Sequence, residues 1–88
     1  MRGFFMYDYY VKFADCIEPD FLPATTPQGL KHWLEEIGKE VYRQAVMNYG
    51  GHGITLVCVD KSRQPCYILH YKDINALLAV GQEQGIFE

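Results

Sequence analysis

The segment between Thr26 and Gly51 constrains this chain more than any other. Leu30, Trp33, Leu34, Ile37, Val41 and Ala45 recur at three- and four-residue spacing, which aligns them along one face of a helix. Lys31, Glu35, Glu36, Lys39, Glu40 and Arg43 take the wet face, with Glu35 and Lys39 spaced for an i,i+4 ion pair. Thr26 is a natural N-cap, and Pro27 suits the first helical position, where no amide donor is missed. Gly50-Gly51 ends the run, so the spacing predicts a helix over about 27–48. A chain of 88 residues has room for a single core, and the rest of it must pack on this apolar face.

Upstream, residues 4–14 alternate. Phe5, Tyr7, Tyr9, Val11 and Phe13 fall on one side, with Asp8, Tyr10 and Lys12 on the other. Phe4, Tyr7 and Val11 also fit helical spacing, but the aromatic content favours a half-buried strand. Residues 15–27 carry three prolines and are predicted to form a long loop. Two further strands are predicted at 54–60 and 65–71, joined around Lys61-Ser62-Arg63-Gln64, with Pro65 at a strand start where its missing donor is tolerated. Asp73 caps a last helix over 74–84 with Ile74, Leu77 and Leu78 inward; Gly85 supplies a left-handed turn and Ile86 its apolar contact. The β-α-β-β-α order predicts one two-layer α+β domain over 1–88, a three-stranded sheet with two helices packed on one face.

The Gly-rich stretch Gly50-Gly51-His52-Gly53 runs from a helix into a strand. Phosphate-binding loops run the opposite way, because the anion sits on the unpaired amides of a helix N-terminus. The stretch therefore reads as a left-handed cap and a tight reversal. A hairpin loop of two or four residues pairs Cys58 with Tyr67 and Val59 with Cys66, placing Cys58 and Cys66 on opposite faces; only an odd loop would pair them directly. Cys66 and His70 share a face about 13 Å apart, too far for a nucleophile and its base. Cysteines and histidines are dispersed without a short-spaced ligand pair, so neither a metal nor a cofactor is expected.

Composition narrows the function classes. Eleven acids against eight scattered bases give a net charge of −3, which argues against a nucleic-acid footprint; Lys61 and Arg63 at the hairpin tip are too few to make one. No apolar run approaches the roughly 20 residues of a membrane span. Met1 to Met6 is basic then apolar, but Tyr7-Asp8-Tyr9-Tyr10 ends the run before a secretory core forms. Three cysteines without CxxC spacing fit reduced thiols and a cytoplasmic location.

Both hairpin faces are apolar: Ile54, Leu56, Cys58, Tyr67, Leu69 and Tyr71 on one, and Thr55, Val57, Val59, Cys66, Ile68 and His70 on the other. Two helices cover only one face of a small sheet, so the second is expected to meet the 15–27 loop or a partner. The loop itself interleaves Asp15, Glu18 and Asp20 with Ile17, Phe21 and Leu22, offering acids and an aromatic anchor to a basic surface. The function expected is a small non-catalytic interaction module, an inhibitor or adaptor of the kind phages and plasmids encode. Its partner is another protein or a second copy of itself, as in a homodimer. The expected contact residues are Tyr10, Asp15, Glu18, Asp20, Phe21, Val57, Ile68 and His70. The rival expectation is a small enzyme or ligand-binding domain using a cysteine, a histidine and a tyrosine hydroxyl at a dimer interface.

Overall fold

The computed structural model describes residues 6–88; the readings made on Met1 to Phe5 lie outside them. The chain runs β1 (Asp8–Phe13), β2 (Asp20–Phe21), α1 (Pro27–Trp33), a π-helical turn (Leu34–Gly38), α2 (Lys39–Tyr49), β3 (Ile54–Val59), β4 (Pro65–Tyr71) and α3 (Ile74–Gln84). The four strands form one sheet in the order β2-β1-β3-β4, antiparallel throughout. The α+β class and the element order are those expected. The fourth strand is an addition: two residues of the proline-rich loop pair with β1, Phe21 opposite Tyr10 and Asp20 opposite Val11.

Sequence alternation becomes a buried sheet face. Tyr9, Val11 and Phe13 of β1 are buried, as are Ile54, Leu56 and Cys58 of β3. Pairing sets Tyr9 opposite Cys58, Val11 opposite Leu56 and Phe13 opposite Ile54, so the two buried sets coincide. Leu30, Leu34 and Ala45 from the long helix, Ile74 and Leu77 from α3, Leu22 from the loop and the C-terminal Phe87 complete this core. Thr26 caps α1 through the Gly29 amide at 3.1 Å, and Asp73 caps α3 through the Ala76 amide at 2.7 Å.

α1, the π turn and α2 form one continuous helix, since the residues at both junctions keep right-handed helical backbone. The π turn adds a residue to the helical repeat and corrects two expectations. Ile37, expected inward, is 49% exposed, and Gly38 takes the buried position. A Cβ at Gly38 would stand 3.2 Å from Ile74 and Trp33, so the missing side chain lets α3 approach. The expected Glu35–Lys39 pair straddles the turn, where i,i+4 spacing no longer stacks; the ion pair on this helix is Glu40–Arg43.

The glycine stretch is a join. Gly50 and Gly51 have φ of 81° and 75°, conformations costly for residues with a Cβ, and they reverse the chain into β3. The start of the 15–27 loop is strapped to this reversal, with the Ala14 amide donating to Gly53 O at 2.7 Å and the Asp15 amide to Gly50 O at 3.1 Å.

Candidate functional site

The helices and the core lie on one face of the sheet, and the opposite face is open among the described residues. Across it runs a cross-strand row of apolar side chains. Phe21 pairs with Tyr10, Tyr10 with Val57, and Val57 with Ile68, one residue from each of the four strands. Phe21 is 61% exposed and Ile68 64%, while Tyr10 and Val57 between them are half-buried. The Tyr10 and Phe21 rings lie 5.2 Å apart at 50°, a tilted contact that fixes both. The loop thus extends this face instead of folding over it: Phe21 joins the open row and the next residue, Leu22, drops into the core.

A polar row borders the apolar one on one side, and a charged pair stands at the end of the mixed row on the other. On one side Lys12, Thr55 and His70 are register partners, with Thr55 Oγ1 2.9 Å from His70 Nδ1. On the other, Asp8 pairs with Val59 and its carboxylate meets Arg63 at 3.5 Å.

Of the eight expected contact residues, Tyr10, Phe21, Val57, Ile68 and His70 gather on this face. Asp15, Glu18 and Asp20 lie elsewhere. Asp20 pairs with the inward-facing Val11, which turns it to the helix side; there it shares a shallow hollow of about 390 Å³ with Cys16, Glu18 and Tyr49. The Asp15 carboxylate lies against Gly51, in the space a Cβ would take. Successive residues of a strand point to opposite faces, so Asp20 is split from the aromatic anchor beside it.

The hairpin keeps the expected pairing of Cys58 with Tyr67 and corrects the one beside it, since Val59 pairs with Pro65 and not with Cys66. Asp60 O accepts from the Arg63 amide, and the Asp60 amide donates to Gln64 O at 2.9 Å, which closes a loop of odd length. The Asp60 carboxylate accepts from the Ser62 and Gln64 amides and holds the turn. The register is thereby shifted by one at the tip, where Val59 pairs with Pro65, and a β-bulge at Cys66 restores it so that Cys58 pairs with Tyr67. Cys66 is therefore the extra residue of the bulge, left unpaired between Pro65 and Tyr67. Cys66 is exposed and Cys58 is buried.

Cys58 belongs to a cluster with Tyr9 and Tyr67 under the sheet. Burial, reinforced by Cys66, pushes the Cys58 thiol up to about 12, so it is neutral at physiological pH and no ready nucleophile. Burial likewise raises both phenols, and among the described residues the buried Tyr67 hydroxyl has no hydrogen-bond partner. Each of these groups is uncharged when protonated and ionises more readily in the unfolded chain. Stability is thus whole below the thiol's ordinary value of 9.0 and falls as pH rises toward 12, with the tyrosines adding to the loss above 10.0. The melting temperature is expected to be level from pH 7 to 9 and to fall by pH 11 in a circular-dichroism series. A level profile to pH 11 would contradict this picture of the cluster.

Other features hold less chemistry. Lys39, Arg43, His52, Asp73 and Asn75 line an open cleft of about 490 Å³ between α2 and the start of α3. There Arg43 is already engaged by Glu40 and Asp73 by its cap. Among the described residues, no three His, Cys, Asp or Glu side chains converge to hold a metal ion, and no helix is long and apolar enough to cross a membrane. Comparison of the chain with family models, curated proteins and solved structures returns no match.

Proposed function

We propose that this chain is a non-catalytic interaction module of inhibitor or adaptor type that docks through its open sheet face. The observation that carries the reading is the row Phe21–Tyr10–Val57–Ile68, exposed at both ends and bordered on one side by the polar row Lys12–Thr55–His70. Fully burying a side chain such as Phe or Ile contributes roughly 1.5–3 kcal/mol, so a protein seated on this row gains most from Phe21 and Ile68, the two left most open. The rim residues Lys12, His70 and Asp8 orient the partner. Three thiols without a disulfide fit action inside the cell.

The partner is another protein, and a second copy is the simplest case to test. Ile68→Asp and Phe21→Ser place polar groups in the row without touching the core. The wild-type chain is expected either to sediment as a concentration-dependent dimer or to retain a specific protein from a native lysate. Either association should weaken at least about 100-fold in Ile68→Asp, as for truncation of a central anchor, with the melting temperature nearly unchanged. A wild-type chain that stays monomeric at high concentration and retains nothing overturns the reading. So does an association that both variants leave intact.

A further inference from the structure

We propose that two copies of this chain pair β4 against β4, antiparallel across a twofold axis, joining their four-stranded sheets into one. The pairing uses the edge of the sheet and does not depend on docking through its open face. A sheet edge presents unpaired amides and carbonyls that another strand can satisfy, and proteins ordinarily blunt it with short strands, charges or prolines. The two edges here differ in this respect. β2 is two residues long, carries Asp20 and lies between Pro19 and Pro23. β4 is seven residues long and has no Lys, Arg, Asp or Glu. Its Pro65 and the bulge at Cys66 lie at the hairpin tip, which leaves Tyr67 to Tyr71 in regular pairing with β3. Among the described residues, no backbone bond from a turn or loop reaches β4. Every second amide and carbonyl of its regular part therefore faces outward without a backbone partner.

The blunted β2 edge decides the occupant. Head-to-tail pairing of β4 with β2 would propagate into a filament, and β2 offers too few groups to sustain it. An antiparallel β4–β4 contact is self-complementary and closes at two copies. With Ile68 opposite its own copy, Tyr67 meets Leu69 of the second copy and Cys66 meets His70. Lys72 falls opposite Gln64, so no like charges face each other. Ile68, 64% exposed in the single chain, is the residue this register covers at the axis. An axis perpendicular to the sheet keeps the helices of both copies on one side. On the other side the two Phe21–Tyr10–Val57–Ile68 rows run end to end, which doubles the open face without covering it.

Sedimentation of the wild-type chain over a concentration series is expected to show a monomer–dimer equilibrium. Hydrogen exchange above and below its midpoint reads the edge directly and needs no variant. In the monomer, amides 67–71 should alternate between slow and fast, because every second one is bonded to β3. In the dimer the fast ones should slow at least about tenfold. Ile68→Lys sets like charges together at the axis and should weaken the dimer at least about tenfold. Phe21→Ser, at the far edge of the sheet, should leave it intact, which separates edge pairing from a dimer docked face to face. A chain monomeric at every concentration overturns the proposal. So does a dimer whose fast amides keep their rate, one that Ile68→Lys leaves as tight, or one that Phe21→Ser dissolves. Protection of those amides only by an extended peptide of another protein assigns the edge to that peptide and equally overturns pairing with a second copy.

Discussion

Leu56→Ala is expected to lower the free energy of unfolding by about 3 kcal/mol, within the range of buried leucine truncations. Leu56 is fully buried at the centre of the sheet, between Val11 on β1 and Leu69 on β4. The long helix and α3 close the core above it, so a cavity there has little freedom to collapse. In a domain of this size each kcal/mol moves the melting temperature by about 4–8 °C, and a fall of about 12 °C or more is expected. Ile68→Ala is the comparison, because Ile68 sits on the neighbouring strand but on the open face. It should cost less than about 1 kcal/mol, since little of its surface leaves water on folding. Urea titrations of both variants with unchanged slopes make the measurement. Equal losses would mean that the second face is also covered, and the docking proposal would then lose its surface.

The second large effect is expected at Gly81, in α3. In an exposed helix interior, glycine to alanine gains up to about 1 kcal/mol. Here the sign reverses. A Cβ at Gly81 would stand 2.8 Å from the Phe87 ring and 2.9 Å from Ile86 Cδ1. After the left-handed Gly85 the chain folds back on α3, with the Ile86 amide donating to Gly81 O at 3.1 Å and Phe87 95% buried. Overpacking costs about 1–3 kcal/mol, and displacing Phe87 forfeits part of its burial, so Gly81→Ala is expected to destabilise by about 2 kcal/mol. Against a Phe87→Ala background the same substitution should cost much less, giving a coupling of about 1 kcal/mol or more in a double-mutant cycle. Additive effects would place the C-terminal residues off the helix.

Much of the architecture is legible in local pattern. Alternation through Tyr9, Val11 and Phe13 marks β1 and its buried side. Thr26-Pro27 and Asp73 mark helix starts, and Gly50-Gly51 and Gly85 mark helix ends, each because a cap or a positive φ needs few neighbours to specify it. The apolar second face was legible too, since its residues alternate with the core set, and five of the eight expected contact residues meet there. The three acids separate from them because Asp20 and Phe21, adjacent in sequence, project to opposite sides of a strand that the loop composition did not announce.

What the sequence determined by itself is the period and the ends of each long element, which arise from contacts within a few residues. What only the tertiary structure decided are the offsets between elements. The π turn exchanges Ile37 for Gly38 so that α3 can approach. An odd loop and a compensating bulge set Val59 opposite Pro65 while Cys58 stays opposite Tyr67, and two loop residues become strand because the edge of β1 offers unpaired backbone groups. Each offset adds or skips one residue, a change almost free locally. It is selected by the close packing and hydrogen bonding of segments far apart in the chain.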